Sequence, residues 1–303
     1  MKLPLLEELE VSYCSLSAES LEVVGQSCPN LKTLKLNREV LHRFSFFSED
    51  DDALAIAETM PRLRHLQLFG NKLTDAGLNP EIMCRHVVDS SQGGLLEIDI
   101  SRFSTDSLLN FIANRSSNLR SLKLTLISPR VTIEGLKEAI GKLPLLEELE
   151  ITEFEMWGGY LKVVGQSCPK LKTLKLNCIR IGFGPPFYLS DDDALAIAET
   201  MHGLRNLKLL GNSLTDDGLK AILDNCPDLE HLDLGHCLNV NFSGDLEKRC
   251  SERIKFQILF SQQNPEKAGD DLLLLIMEEE ICSPSRSHDT LNTLDKPHKQ
   301  GRS

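Results

Sequence analysis

The sequence has 303 residues and a formal net charge of −12 at pH 7, with 41% hydrophobic and only 5% aromatic residues. This length admits two ordinary domains or one elongated array of repeats, and in either case aliphatic side chains must fill the core. The acidic balance disfavours a nucleic-acid partner, because affinity for the phosphate backbone requires a basic surface.

No segment predicts export or insertion into a membrane. The first residues, MKLPLLEELEV, lack the features of a signal peptide. The longest apolar run, LLLLIM at 272–277, is far shorter than the roughly 20 residues that cross a bilayer. We therefore expect a soluble protein of the cytoplasm, the nucleus or both, whose nine cysteines are free thiols.

A short pattern, LxxLxL, recurs along the chain at intervals of 24 to 33 residues. The last four residues of each copy alternate apolar and polar with period two, which predicts a strand with one buried face. In chain order the nine predicted strands are LEELEV (6–11), LKTLKL (31–36), LRHLQL (63–68), LLEIDI (95–100), LRSLKL (119–124), LEELEI (146–151), LKTLKL (171–176), LRNLKL (204–209) and LEHLDL (229–234).

The segments between these strands predict helices. SAESLEVVGQSC (17–28) and DDDALAIAETM (50–60) open with Ser or Asp and then repeat apolar residues at helical spacing. One strand, turn and helix cannot bury its apolar face alone, so the units must stack. The fold class is therefore α/β, a leucine-rich-repeat solenoid or horseshoe with a parallel sheet on the concave face and helices on the convex face.

The outward-facing residues of neighbouring strands should form polar rows on the concave face. Solenoids often bind partners on this face, although solubility alone also explains a polar residue at any one position. The candidate partner-binding residues are Glu8, Glu10, Lys35, His65, Gln67, Glu97, Asp99, Lys123, Glu148, Glu150, Lys175, Lys208, His231 and Asp233.

The repeats resemble the cysteine-containing leucine-rich repeats of F-box proteins, whose pattern runs CPxLxxLxLxxCxxLTDxGL. The opening is matched at Cys28, Cys168 and Cys226, each followed by proline, and the end is matched by LTDAGL (73–78) and LTDDGL (214–219). The strings LPLLEELE, VGQSCP and GDLEKRC are similar to those of plant F-box/leucine-rich-repeat proteins. The resemblance covers about residues 1–255.

A longer repeat is superimposed on the short one. Residues 2–78 recur at 142–219, with KLPLLEELE, VVGQSCP, LKTLKLN and DDDALAIAETM identical in both copies. This indicates a tandem duplication. We expect a first repeat array at 1–78, a junction segment at 79–94 that replaces the helix of the third repeat, a second array at 95–260 and a disordered tail at 261–303.

The resemblance implies a role in substrate recognition by SCF-type ubiquitin ligases, in which the F-box docks a Skp-family adaptor. No F-box sequence is recognisable, so we expect only the substrate-binding half of that function, with an unknown protein substrate. The alternatives are an interaction or competitor scaffold that acts without ubiquitin, and the product of a fragmentary duplicated gene. No catalytic motif, cofactor site or metal site is predicted.

Three other groups of residues have competing interpretations. Cys226, His231, His236 and Cys237 have zinc-binding chemistry, but their places in the repeat argue against a common site. The acidic runs 49–52 and 191–193 are interpreted as helix caps. Two inserted loops, at 38–49 and 178–190, carry aromatic residues that could anchor a partner or pack over the array: Phe46, Phe47, Phe187 and Tyr188.

Overall fold

Ten parallel strands in consecutive order form one sheet in the part of the chain that the structure describes. The computed structural model describes residues 2–12, 18–38, 59–70, 80–100, 103–127, 130–154, 159–179, 190–235, 237, 239–241 and 243–258. The strands are β1 (Glu8–Ser12), β2 (Thr33–Arg38), β3 (His65–Gly70), β4 (Glu97–Ile100), β5 (Ser121–Ile127), β6 (Glu148–Phe154), β7 (Thr173–Ile179), β8 (Asn206–Leu210), β9 (His231–Asp233) and β10 (Phe256–Ile258).

Helices connect successive strands and pack side by side behind the sheet. The described helices are α1 (Ala18–Ser27), α2 (Pro80–Ser90), α3 (Asp106–Arg115), α4 (Ile133–Ile140), α5 (Leu161–Ser167), α6 (Asp192–Thr200), α7 (Asp216–Asn225) and α8 (Asp245–Arg253). This arrangement confirms the predicted α/β repeat solenoid, and strand β10 extends the sheet beyond the nine strands that the LxxLxL pattern predicted.

The core is built from the inward-facing residues of the strands. Leu34, Leu66, Ile98, Leu122 and Leu149 occupy equivalent register positions on five neighbouring strands, and each is at most 3% exposed. Full burial of one such side chain contributes roughly 1.5–3 kcal/mol. Because each leucine packs against its counterparts in adjacent repeats, the array is stabilised by contacts between neighbours along its length.

A side-chain contact between repeats recurs where the helices begin. The Asp106 carboxylate accepts hydrogen bonds from the Thr132 backbone nitrogen (2.8 Å) and Oγ1 (2.7 Å), and Thr132 caps α4 by accepting from the Gly135 nitrogen (3.0 Å). Gly135 leaves room for this carboxylate, since a Cβ there would lie 2.1 Å from Asp106 Oδ1. The recurrent Thr-Asp and Gly of the repeat therefore serve a contact with the adjacent repeat.

The cap interpretation of the acidic run at 191–193 is wrong for Asp191. Asp191 precedes α6 but makes no side-chain hydrogen bond to that helix, and the Asp192 nitrogen instead donates to Ser190 Oγ at 3.2 Å. The Asp191 carboxylate is directed to the next repeat, where it binds Thr215. The other acidic run, 49–52, lies outside the described residues.

The two copies of the duplicated sequence form matching contacts. Lys35 and Lys175 lie 2.6 and 2.7 Å from Glu8 and Glu148, respectively. Gly25 and Gly165 each lie against a threonine of the following repeat, so close that an added Cβ would lie 1.9 Å from the Oγ1 of Thr59 or Thr200. Identical local sequence thus produces the same packing between repeats in both halves.

The junction segment at 79–94 contains helix α2, which places Cys84, Val87 and Val88 in the core. Strands β3 and β4 on either side of it pair in parallel. The proposed division into two arrays remains a prediction about how the chain arose. Most of the two inserted loops, with all four of their aromatic residues named above, and the tail at 261–303 lie outside the described residues.

Candidate partner-binding face

Two rows of polar residues cross the outward face of the sheet. Their positions are set by the parallel register, which pairs the first residue of each strand from Glu8 to Phe256 and the third from Glu10 to Ile258. The first row contains Glu8, Thr33, His65, Glu97, Ser121, Glu148, Thr173, Asn206 and His231. The second contains Glu10, Lys35, Gln67, Asp99, Lys123, Glu150, Lys175, Lys208 and Asp233.

All fourteen candidate residues named from the sequence lie in these two rows. Their exposure differs along the array. Glu8 and Glu97 retain more than half of their side-chain surface, at 57% and 54%, whereas Asp99 is only 8% exposed and accepts a hydrogen bond from Gln67 Nε2 at 3.2 Å. The side chain of Asp99 is therefore part of the surface of this face but hardly projects from it.

Ion pairs between adjacent strands cover most of this face. In β1 and β2, Lys35 contacts both Glu8 and Glu10, at 2.6 and 3.8 Å. Further pairs join His65 to Glu97 (2.8 Å), Lys123 to Glu150 (3.3 Å), Lys175 to Glu148 (2.7 Å) and Glu150 (3.6 Å), and Lys208 to Asp233 (3.3 Å). Because these groups are partly exposed and screened by solvent, each pair contributes little to folding, so a binding partner can displace it at small cost.

Two of the lysines have raised pKa values. The hydrogen bond and charge of Glu8 raise the pKa of Lys35, and Lys35 lowers the pKa of Glu8 in return. Burial acts to lower the pKa of Lys175, but the neighbouring Glu148 and Glu150 outweigh it and the pKa is raised. These shifts favour the charged forms of Glu8, Lys35 and Lys175.

A concave pocket of about 350 Å³ lies over strands β1 to β5. Three carboxylates line it, Glu8, Glu97 and Asp99, against two lysines, Lys35 and Lys123. The rest of its wall consists of Thr33, His65, Leu66, Gln67, Ile98 and Ser121. The pocket combines hydrogen-bonding groups of both charges with a slight excess of negative charge, which suits a polar or basic side chain of a protein.

Sequence reasoning missed a third polar row on the middle strands. β5, β6 and β7 continue past the LxxLxL motif, and Thr125, Thr152 and Asn177 lie in register there. Asn177 Nδ2 contacts Thr152 Oγ1 and Glu150 Oε1, each at 3.5 Å. The signal was available, because in each of these strands a polar residue directly follows the last apolar residue of the motif, which extends the alternation by one position.

The residues with zinc-binding chemistry occupy structural positions. The thiol of Cys226 donates to the Met201 carbonyl oxygen at 3.5 Å, and that of Cys237 donates to the Leu209 carbonyl oxygen at 3.0 Å. His231 lies in the first row of the sheet, and His236 lies outside the described residues. Within the described ranges, no group of three or more His, Cys, Asp or Glu side chains has the arrangement of a metal site.

The described part of the chain also contains no helix that is both long enough and apolar enough to cross a membrane.

Stacked strand-and-helix units with leucines at fixed core positions define a leucine-rich-repeat protein. A family model described as "Leucine Rich repeat" matches residues 60–79. The same fold occurs in the crystal structure of the yeast Rad7–Elc1 complex, with a TM-score of 0.53, 20% sequence identity, and coverage of 83% of this chain and 68% of that chain.

Comparison with curated proteins gives a narrower assignment. The chain is 49% identical over 229 residues to the F-box protein SKIP19 of Arabidopsis thaliana, covering 73% of each protein. It is 56% identical over 177 residues to the putative F-box/LRR-repeat protein 22 of the same plant, covering 58% of this chain and 56% of that protein. The chain belongs to the F-box/leucine-rich-repeat protein family.

Proposed function

We propose that this protein recognises a protein substrate for an SCF-type ubiquitin ligase and binds it on the concave face of the sheet. The observation that carries the proposal is the pair of polar rows in a member of the F-box/leucine-rich-repeat family. In this role the chain is a non-catalytic receptor of the cytoplasm or nucleus that supplies the substrate-binding half of the function. Nucleic acid and membranes are not its partners.

The pocket over β1 to β5 is the proposed centre of the binding face. Two of its three carboxylates, Glu8 and Glu97, are exposed glutamates of the first row. This arrangement favours basic residues of the substrate. The ion pairs of Glu8 and Glu97 are exposed and weak, so a basic side chain of the substrate can replace the present partners at small cost. Glu8 and Glu97 are the best residues to test, because both are exposed and neither packs in the core.

The test is proximity labelling in plant cells with the full chain and two variants. Glu8→Lys combined with Glu97→Lys reverses charge at the pocket. Glu199→Lys is the control, because Glu199 has a similar side-chain exposure of 57% but lies on helix α6, where it pairs with Lys162. Thermal denaturation of each purified variant shows whether folding is retained.

We expect the pocket variant to lose at least one labelled protein that the control retains, and that protein to accumulate when the proteasome is inhibited. Recovery of adaptor and cullin subunits with the wild-type chain supports the ligase role. Labelled proteins that do not depend on the pocket would overturn the assignment of the binding face. Pocket-dependent partners without adaptor, cullin or proteasome sensitivity would instead identify a scaffold that acts outside the ubiquitin system.

A further inference from the structure

The residues immediately before the strands form a third structural line, here called the strand-start edge. It consists of Glu7, Lys32, Arg64, Leu96, Arg120, Glu147, Lys172, Arg205, Glu230 and Lys255. The backbone nitrogen of each residue donates to the carbonyl oxygen of the preceding one at 2.7 to 2.8 Å, from Lys32 to Lys255. The edge is therefore continuous along the described array and separate from the two rows of the candidate binding face.

The charge of the strand-start edge is opposite to that of the protein. Six of its ten residues are Lys or Arg and three are Glu, whereas the whole chain has a net charge of −12. The basic residues are concentrated in the second half, where β5 to β10 are preceded by Arg120, Glu147, Lys172, Arg205, Glu230 and Lys255. A local excess of positive charge on an acidic protein is a feature that solubility does not require.

Capping of helix ends explains some basic residues near this edge but not these. Arg253 donates to the carbonyl oxygens of Leu223 (2.6 Å) and Cys226 (3.0 Å), at the end of helix α7. Such contacts satisfy the carbonyls at the C-terminal ends of helices. By contrast, Lys172 and Arg205 form ion pairs with glutamates of the edge itself, and both side chains are more than half exposed, at 54% and 58%.

Each glutamate in the second half is shared by two cations. Glu147 pairs with both Arg120 and Lys172, and Glu230 pairs with Lys255 at 2.5 Å and with Arg205 at 3.9 Å. The hydrogen bond and charge of Lys255 lower the pKa of Glu230, and the hydrogen bond of Lys172 lowers the pKa of Glu147. Four cations therefore face two carboxylates, and the excess is two positive charges.

The centre of this half has two adjacent cations with no acid between them. The Arg205 nitrogen donates to the Lys172 carbonyl oxygen at 2.8 Å, so the two residues precede neighbouring strands. Their side chains turn away from each other, to Glu147 and Glu230 respectively. The result along β5 to β10 is the charge order plus, minus, plus, plus, minus, plus, with the doubled positive charge in the middle.

We propose that the strand-start edge of β5 to β10 docks an acidic helix of a partner protein, centred on Lys172 and Arg205. Strands are about 4.8 Å apart, so the six positions span about 24 Å, the length of a helix of about 16 residues. Carboxylates three or four residues apart on a helix are about 5–6 Å apart, close to the strand spacing. Glu147 and Glu230 repel the uninterrupted phosphates of a nucleic acid, whereas a helix can place neutral or basic residues opposite them.

The test measures fluorescence anisotropy of labelled probes with the full chain. The main probe, called the striped peptide, is a helical peptide of about 16 residues. One face has Glu at the positions opposite the four cations and Gln at the positions opposite Glu147 and Glu230, and the other positions are Ala or Gln. The comparison probes are a peptide with the same composition but all glutamates at one end, an oligothymidylate and phosphatidylserine vesicles. The variant is Lys172→Glu with Arg205→Glu, and the control is Lys162→Glu with Lys220→Glu, which reverses two exposed lysines of helices α5 and α7.

We expect the edge variant to bind the striped peptide about tenfold more weakly and the control to change its affinity less than about twofold. Increasing ionic strength should weaken the same interaction. The proposal is overturned by equal weakening in both variants, by absence of peptide binding at physiological salt, or by tighter binding of the clustered peptide, the oligonucleotide or the vesicles. If Lys172→Glu with Arg205→Glu lowers the melting temperature, Lys172→Gln with Arg205→Gln is measured instead. A threefold or smaller loss of peptide affinity in that variant would also count against the proposal.

Discussion

The carboxylate of Asp191 accepts hydrogen bonds from both the backbone nitrogen and the Oγ1 of Thr215, at 2.7 and 2.8 Å. Thr215 precedes α7 and in turn accepts a hydrogen bond from the Asp217 nitrogen at 3.2 Å. One threonine therefore links the start of its own helix to the start of the previous one. The equivalent pair in the middle of the array is Asp106 and Thr132.

This link predicts the effect of substitutions at Thr215. Thr215→Ala removes the cap of α7 and one hydrogen bond of Asp191, and should lower the free energy of unfolding by about 1–2 kcal/mol. Thr215→Ser retains the hydroxyl and should lose less than half of that. Urea denaturation followed by circular dichroism measures both values. Equal stability of the wild type and the alanine variant would show that the contact contributes nothing.

The close approach of helices α5 and α6 predicts a large effect at Gly165. A Cβ there would lie 1.9 Å from Thr200 Oγ1 and 2.9 Å from Met201 Cγ, so Gly165→Ala should force the helices apart and cost about 1–3 kcal/mol. Gly203→Ala is the matched control, because its nearest atom is the Leu171 carbonyl oxygen at 3.8 Å. Chemical denaturation should show a stability loss only for Gly165→Ala, and a similar loss at both positions would contradict the packing argument.

The carboxyl group of Asp193 should make the stability of the fold depend on pH. Burial raises its pKa, with a smaller opposing contribution from the hydrogen bond of Asn212. A raised pKa in the folded state means that the ionised carboxyl destabilises the fold at neutral pH, and that this penalty disappears as the pH falls through the folded-state pKa. Asp193→Asn should therefore raise the melting temperature at pH 7, with a gain that shrinks towards acidic pH.

The neighbouring Asp192, which is exposed, supplies the control for that measurement. Asp192→Asn removes a charge at the same end of α6 without a buried carboxyl, so its effect at pH 7 should be smaller than that of Asp193→Asn. Thermal denaturation across the pH range from neutral to acidic compares the two variants. A destabilised Asp193→Asn protein at pH 7 would mean that the helix dipole outweighs the cost of burial.

The buried thiols predict a pattern of chemical labelling. Burial raises the pKa of Cys84 and that of Cys168 to about 12, so almost no thiolate is present at mildly alkaline pH. Among the cysteines in the described ranges, Cys178, which is partly exposed on β7, should react with iodoacetamide first. Peptide mass spectrometry after timed labelling measures the order, with a denatured sample as the control in which all the thiols react. Early labelling of Cys84 would show that α2 opens readily.

The main features of the fold could be read from the LxxLxL pattern, because period-two alternation and stacking leave few other arrangements for so many leucines. The pattern did not find β10, because its first two leucine positions, equivalent to Leu229 and Leu232, are Ile254 and Gln257. Helix α2 also has a readable signal, since Cys84, Val87 and Val88 have helical spacing and are buried. That spacing lies where the duplicated sequence breaks off, so it has no counterpart in the other copy.

The positions of the polar rows were predictable, but their contacts were not. Alternation decides that Lys123 and Glu150 face outward, whereas their pairing depends on which strands are neighbours and on which long side chains can reach. The same limit applies to Asp191, which local sequence assigns to its own helix although its partner lies 24 residues later. Each residue of the strand-start edge up to Glu230 is the second residue of a repeat motif, but LxxLxL leaves that position unspecified, so the pattern does not reveal the charge of the edge.

Main-chain hydrogen bonds hold the rows in register, so a substitution at a row position alters the surface chemistry of one strand and leaves the others in place. The duplicated halves illustrate this. Glu8 and Lys35 have identical counterparts in Glu148 and Lys175, whereas His65 corresponds to Asn206 and Gln67 to Lys208. The two copies thus share the same core residues but differ at surface positions. Each surface can change by mutation, and so acquire a different ligand, without a change of fold.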